Sequence, residues 1–491
     1  MSAGFKFEEA VEFSPENAAE TLRGIPALPG VFALYGAREE YQPYLTRAAD
    51  LRRRITRMLA RPVPSADGKP VQSKRLNLRE RVARIEYTIT GSEFESTLTL
   101  YHASAAVFGL EEARRRLKLR TPFFLRFTAE NAYPRVYSTN RLSKRALDNF
   151  YGPFPSRAAA DRYCDAVLDL FKLRRCVEEL APYPEHPGCV YGEMNKCLAP
   201  CNQACTPAGA AAYEAEAAAV KRFFDTRGES MIIGLGLQRE EASAALDFEQ
   251  AATLHAQWHR VKAAQSLADE LVQPIPKLSA ILVQKAAQGT ENREQETADS
   301  AAIFLLHAGC IIGPARLSTL GVRAVKEQTS VGSSLYAQPL MLEAIPYAQD
   351  AEPAELTPTE SPELRATNLI ASLEHEASAA IDRATLSDHL SLLRRWYYRP
   401  EKQRTGEVFL PREDRSWPIR RILNGAARMA LGEPKPIAET HRELVQRNPE
   451  DEAQKPTRTK VLHEGRPDVE RVVPVVDSPT AFKSRRKSIP T

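Results

Sequence analysis

Residues 170–201 read LFKLRRCVEELAPYPEHPGCVYGEMNKCLAPC, and they set the frame for the rest of the chain. Cys176, Cys189, Cys197 and Cys201 recur as C-x12-C-x7-C-x3-C, and Cys205 comes after them. Thiolates are soft ligands, and four of them suit Zn²⁺ or an iron–sulfur cluster equally well on spacing. The last pair stands one turn apart around Pro200. Cys205 is surplus and is read as a non-ligand. The bland alternative is a set of reduced cysteines packed as small apolar side chains. Five cysteines within residues 176–205 weigh against it. Cys164 and Cys310 are isolated.

C-terminal to this stretch, residues 211–265 are rich in Ala, Glu and Gln and read as helical throughout. Within them QREEASAALDFEQAATLHAQWHRV (238–261) places Ala242, Leu246, Phe248, Ala251, Ala252 and Leu254 in a helix–turn–helix pattern. Leu246-Asp247-Phe248 falls where the two helices would meet. Small alanines allow close helix approach, and Phe248 is an anchor-sized side chain. So short a hairpin gains stability by packing on a partner's matching hairpin. An ordinary internal hairpin is the competing reading.

Towards the N-terminus, residues 25–105 read as a small α/β unit. IPALPGVFALYG is a proline-punctuated strand entry, and YQPYL gives a second short strand. AADLRRRITRMLA forms a helix with Leu51, Ile55, Met58 and Leu59 on one face. RPVPSADGKPVQSK is a loop, LRERVARIEYTIT passes from helix to strand, and SEFESTLTLYHASAAVFG is a capped helix. Beyond it PFFLRFT and RVYST are strands, and a helix runs from about Arg157 to Leu173. LSAILVQ, AAIFLLHAGCIIG and GEVFLP are strand-like, residues 364–398 are a long helical region, and PIRRILNGAARMAL is a helix. Residues 346–362 read as a flexible acidic connection. The tail is poor in apolar clusters and is expected to be disordered. The expected class is α+β multidomain: an N-terminal segment (1–24), the α/β unit (25–105), a linker with the cysteines (106–210), a helical region (211–268), a mixed β/α domain (277–430) and the tail (431–491).

At 491 residues, with 43% hydrophobic and 26% charged residues, the chain has material for about three cores, which excludes a disulfide mini-scaffold or a lone binding module. No apolar run nears the ~18 residues of a membrane span, and the first residues carry no secretory leader, so the expected compartment is the cytoplasm. The net charge of +4 says little, but its distribution says more. Arginines at 47, 52, 53, 54, 57 and 61 face one acid, Asp50, and RRRLKLR (114–120) has no acid at all. Either run could be a solvated face; either could meet phosphates.

The cysteine stretch and the hairpin, in this order, resemble the UvrC family of bacterial excinuclease subunits. LPGVF followed by PYLTRAADLRRRITRML is similar to that family's GIY-YIG nuclease opening, and RERVARIEYTITGSEFES to the segment leading to its catalytic helix. PRVYSTNRL and NFYGPFPS match the family's next stretch, and REEASAALDFEQAATL resembles the UVR motif that binds UvrB. The likeness covers roughly residues 25–425 and weakens after 277. It implies DNA repair by nucleotide excision in the SOS response, with damaged double-stranded DNA and UvrB (or another UVR-hairpin protein) as partners. It implies cluster ligands Cys176, Cys189, Cys197 and Cys201, favouring [4Fe–4S] with zinc as the alternative. It assigns UvrB binding to Ala242, Leu246, Phe248, Ala251, Ala252 and Leu254, although His255 and Ala256 replace an Arg-Asp pair there.

A GIY-YIG nuclease uses a tyrosine hydroxyl near the attacking water, an arginine on the phosphate and a glutamate on a divalent metal. Here Tyr44, Arg47 and Arg54 are retained. Phe32 stands at the first tyrosine, Thr46 at a glycine and Met58 at a further tyrosine. Ungapped alignment puts the metal-binding glutamate at Leu100, with Glu93 and Glu95 a turn or more earlier. Leucine cannot coordinate Mg²⁺, which needs oxygen ligands. The resemblance therefore implies a nuclease fold that binds DNA through Arg47, Arg52, Arg53, Arg54 and Arg57 without cutting. Mg²⁺ enters only under the alternative, an active single-incision endonuclease with a shifted carboxylate. The family's second, RNase H-like nuclease and its helix-hairpin-helix pair have no counterpart here, so the resemblance implies their loss.

Overall fold

The computed structural model of the protein describes residues 5–38, 41–60, 76–143, 146–288, 300–322, 361–380, 385–400, 403–432, 458–463 and 466–474. The loop expected at 61–74, the acidic connection at 346–360 and the basic KSRRKS of the tail lie outside them. The chain divides into one unit of Met1–Ala324 with Glu360–Glu433, and a second of Val325–Thr359 with Pro434–Thr491.

The first unit begins with β1 (Glu9–Glu12), α1 (Ala18–Gly24), β2 (Gly30–Gly36), β3 (Tyr44–Ala48), α2 (Leu51–Leu59) and β4 (Val82–Ile89). The strands form an antiparallel sheet in the order β1-β4-β2-β3, so β3 is an edge. Residues 9–12 thus share the sheet of the segment C-terminal to them. Alternation along β2 sends Phe32 and Leu34 to one face and Val31 and Ala33 to the other. Both faces are covered, which is why the strand reads as one apolar run. The Phe32 face packs on Leu51, Ile55, Met58 and Leu59 of α2. Asp50 caps α2, accepting from the Arg53 N–H at 2.8 Å. Gly30 is required where these elements meet, since a Cβ there would lie 2.4 Å from the Thr88 carbonyl. The reading of residues 78–90 as helix then strand needs correction. Residues 78–81 form a turn leading straight into β4, anchored by the Leu78 N–H to the Met58 carbonyl at 3.0 Å and by Arg79 to the Leu59 carbonyl at 2.9 Å.

Next come α3 (Glu93–Phe108) and α4 (Leu110–Leu117). Ser92 caps α3 through the Glu95 N–H at 3.1 Å. The helix is apolar on most sides because two cores claim it. Leu100 and Ala103 pack with Val31, Ala33 and Leu45, while Phe94, Leu98 and Tyr101 enter a core shared with Phe304 and Trp396.

The second sheet, β6-β5-β7-β8, comprises β5 (Phe123–Phe127), β6 (Val136–Thr139), β7 (Phe150–Phe154) and the short β8 (Gln273–Pro274). Its helix α5 (Arg157–Leu168) is capped by Ser156 and ends five residues before the expected Leu173, where a turn brings Asp169 to Arg175 and Lys196. After the short α6 (Val190–Glu193) and α7 (Pro200–Gln203) run α8 (Pro207–Asp225), α9 (Glu229–Ala244) and α10 (Phe248–Gln265). Their core gathers Tyr163, Tyr213, Val220, Phe223, Phe224 and Val261.

The third sheet is antiparallel, in the order β11-β10-β9-β12: β9 (Ser279–Lys285), β10 (Ser300–His307), β11 (Cys310–Ser318) and β12 (Glu407–Phe409). Helices α11 (Pro362–Ala380) and α13 (Ile419–Leu431) cover the face bearing Ile281, Val283, Ile303 and Leu305. Helix α12 (Leu386–Tyr397) and α3 cover the face bearing Leu282, Phe304 and Leu306. Residues 364–398 are therefore two helices on opposite faces, not one long element. Arg428 of α13 grips Glu407 of β12 through two buried hydrogen bonds of 2.9 and 2.8 Å.

In the second unit, β13 (Arg458–His463) pairs antiparallel with β14 (Arg466–Pro474). Over these residues the tail departs from the expected disorder; the β-branched Val461, Val469, Val472 and Val473 suit a strand. Among the described residues no helix is long and apolar enough to cross a membrane.

Candidate nucleic-acid interface

The arginine-rich helix α2 lies beside Tyr44 at the start of the edge strand. Its apolar positions at i, i+4, i+7 and i+8 are buried, which forces the arginines between them outward. Tyr44, Asp50, Arg52, Arg53, Arg54, Arg57 and Met58 line a hollow of about 830 Å³. Arg54 reaches the Tyr44 hydroxyl at 3.5 Å, a long contact. Arg52 is spent on the backbone, donating to the Ile25 carbonyl at 2.6 Å. The ring of Phe32 is fully buried beneath, 6.4 Å from that of Tyr44, and presents no hydroxyl to the hollow. Asp50 is the carboxylate that lines the hollow among the described residues, and it is engaged as the cap of α2.

Arg47 does not join this set. Alternation places Tyr44 and Thr46 on the α2 face of β3, and Leu45 and Arg47 on the α3 face. Arg47 instead meets α3, donating to Thr97 Oγ1 at 2.9 Å and pairing with Glu93 at 3.0 Å. Leu100 sits on the same α3 face in an apolar cluster with Val31, Ala33 and Ala103. Glu95 is buried, its Oε2 accepting from the Gly91 N–H at 2.7 Å. Burial pushes its carboxyl up to about 7, against the pull of that hydrogen bond. Glu93 is held at about 2, first by the hydrogen bond from Arg399 and then by that from Arg47. Sequence reasoning missed Arg399, because 306 residues separate it from Glu93 and no local pattern marks it.

Cys176, Cys189 and Cys197 come from the loops around α6, and Cys201 from α7 itself. Cys197 and Cys201 are buried, Cys176 and Cys189 half-buried, and Cys205 exposed. Ala199 adopts a left-handed conformation (φ 47°) and turns its N–H onto Cys197 Sγ at 3.3 Å. The Cys197 thiol is raised to about 11, by burial first and then by negative charge on Cys189, Cys176 and Cys201, against the pull of the Ala199 N–H. Cys201 is raised likewise, by burial first and then by Cys189. Sulfur donors are soft, the ligand chemistry of Zn²⁺ or an iron–sulfur centre. In geometry, no group of three or more His, Cys, Asp or Glu side chains among the described residues is arranged to hold a metal ion.

Helices α9 and α10 meet at residues 245–247, and the Asp247 side chain caps α10 through the Gln250 N–H at 3.0 Å. Leu246 and Phe248 stand 73% and 66% exposed at the tip. Ala252 is exposed, Ala251 half-buried, and Ala242 buried within the hairpin. Leu254 packs against the core of the second sheet.

Residues 123–223 match the family model described as UvrC/Cho excinuclease, middle domain. The UvrABC system protein C of Aliivibrio salmonicida is 27% identical over 259 residues, which cover 52% of this chain and 40% of that protein. The same-named protein of Desulforudis audaxviator is 28% identical over 249 residues (50% and 37%), and that of Edwardsiella ictaluri 28% over 248 residues (50% and 38%). The chain spans about two fifths of the length of these curated relatives. No solved structure matches.

Proposed function

This chain is a UvrC-like protein, and from that premise we propose that it binds damaged double-stranded DNA in nucleotide excision repair through a GIY-YIG-like domain that does not cut. The observation that carries the reading is the hollow beside α2. It offers Arg53, Arg54 and Arg57 to phosphates, while its one lining carboxylate among the described residues, Asp50, is spent as a helix cap. Such a site attracts a polyanion without holding the divalent metal that hydrolysis needs. Phe32 and Leu100, both in apolar packing, remove the hydroxyl and the metal ligand together.

Labelled duplex DNA titrated at several salt concentrations should show sequence-independent binding that weakens steeply with salt, each phosphate contact adding about 0.9 to the slope. The pair Arg54→Ala and Arg57→Ala should lower both affinity and slope. Nicking of irradiated plasmid with Mg²⁺ or Mn²⁺ should stay at background. Metal-dependent nicking lost in Arg54→Ala would instead establish an active single-incision nuclease.

The exposed Leu246 and Phe248 support docking of the α9–α10 hairpin on UvrB, and Phe248→Ala should abolish co-purification. Cys176, Cys189, Cys197 and Cys201 would hold a [4Fe–4S] cluster, with zinc as the alternative. That group would supply cross-links ordering the loops around α6 and α7. Iron, sulfide and zinc analysis of protein purified without oxygen decides between them, and Cys197→Ala should lose the metal.

A further inference from the structure

Arg47, expected on a DNA phosphate, already holds an anion. Its Nη2 lies 3.0 Å from Glu93 Oε1. Arg399, just beyond α12, grips the same carboxylate from another side, with Nη1 donating to Oε2 at 2.6 Å and Nη2 to Oε1 at 3.0 Å. One carboxylate is thus clamped between guanidiniums from two distant parts of the chain. Arg395, one turn earlier on α12, feels the positive charges of Arg394, Arg399 and Arg47. Arg394 and Arg395 are tied down, donating to the Pro155 carbonyl at 2.8 Å and to the Leu117 carbonyl at 2.9 Å. The guanidiniums of Arg47 and Arg399 turn to side chains instead, and the side chains of Arg47, Glu93 and Arg399 remain 41%, 45% and 29% exposed.

We infer that Arg47 and Arg399 form a second phosphate site for the DNA backbone, and that Glu93 fills it in the free protein as an internal stand-in for the phosphate. A carboxylate and a phosphate present the same pair of acceptor oxygens to a guanidinium fork, so one can replace the other without rebuilding the donors. An exposed ion pair contributes little net stability, so an incoming anion can displace it. The first site lies on the α2 face of the edge strand β3 and the second on its α3 face. A backbone crossing that edge would meet both. The inference rests on the DNA-binding reading and adds Arg399 to it.

The test is a titration of a fluorescein-labelled 30-base-pair duplex into full-length protein at several salt concentrations. Glu93→Gln, of the same shape, should tighten binding about fivefold and steepen the salt slope by about one, because two cations are released to a phosphate. Adding Arg399→Gln should cancel that gain, and Arg399→Gln alone should weaken binding about twofold. If Glu93→Gln lowers the melting temperature and leaves affinity and slope unchanged, the clamp is a structural link and the inference fails. If Arg54→Ala weakens binding while both Glu93→Gln and Arg399→Gln bind as wild type, DNA binding stands and the second site falls. If neither wild type nor Glu93→Gln binds the duplex, the DNA-binding reading falls and the inference with it. Should Glu93→Gln fail to fold, the Arg399→Gln measurement decides alone.

Discussion

Two arginine–carboxylate links join the α3–α4 pair to α12 and its end, and they differ in one respect. In the first, Arg114 Nε sits 2.8 and 2.9 Å from the two oxygens of Asp388, and the Tyr101 hydroxyl donates to the same carboxylate at 2.8 Å. The Asp388 side chain is only 4% exposed. Beside it the rings of His102 and His389 lie 5.8 Å apart, and His389 Nδ1 accepts from the Ile311 N–H at 3.0 Å. In the second, the Arg47–Glu93–Arg399 clamp, the shared carboxylate is 45% exposed. The chemistry is the same and the solvation is not. The Asp388 carboxylate is costly to strip of its donors because it cannot itself reach water, although its partner Arg114 is 37% exposed. An exposed carboxylate is cheap to exchange for another anion. Burial, more than pairing, decides which link holds the fold and which is free to serve a ligand.

Breaking the buried link should have the largest effect. Asp388→Ala removes the acceptor of both Arg114 and Tyr101 and should cost about 3 kcal/mol in urea unfolding. A loss no greater than that of Glu93→Gln would erase the contrast. Glu95 tests burial by pH. Its folded value of about 7 lies above the ordinary 4.5, so the folded state keeps its proton longer than the unfolded chain. Stability should therefore fall as pH rises from about 4.5 through 7, by on the order of 2 kcal/mol, and Glu95→Gln should flatten that limb. Glu93 has the opposite sign. Held near 2, it adds stability above about 4.5 that fades as pH falls towards 2. Being exposed, it contributes under about 1 kcal/mol, and Glu93→Gln should shift the thermal midpoint only slightly. The smallest change in stability is expected for Phe248→Ala, under about 0.5 kcal/mol, because the ring is already in water. A larger loss would mean that the hairpin tip packs on its own chain.

Much of the fold could be read from local pattern. The strand pattern of β2, the buried strands β9 and β10 and the apolar face of α2 follow from runs or periods of apolar residues, and the caps at Asp50 and Ser92 are short polar residues just ahead of the first helical turn. Residues 78–81 mislead because charged residues with good helix propensity stand there, and a hydrogen bond from Leu78 to Met58 overrides that preference. Residues 364–398 read as continuous because both α11 and α12 bury an apolar stripe; that the stripes face opposite sides of one sheet has no local signature. The hairpin break at 245–247 is legible, whereas the burial of Ala242 and the packing of a half-buried Leu254 on the core, with Leu246 and Phe248 exposed, are not, since the same residue types serve either role.

The sequence by itself determined the chemistry available to this protein: arginines on one side of a short helix, apolar side chains at Phe32 and Leu100, and four thiols in one segment. These features come from residue type and from helix and strand periods, which act over a few residues. The tertiary structure alone decided which charges meet. It put Arg47 and Arg54 on opposite faces of one edge strand, brought Arg399 across 306 residues of chain to Glu93, and sank Asp388 while leaving Glu93 in water. Electrostatic strength depends on distance and solvation, and both are properties of the packed molecule rather than of any segment.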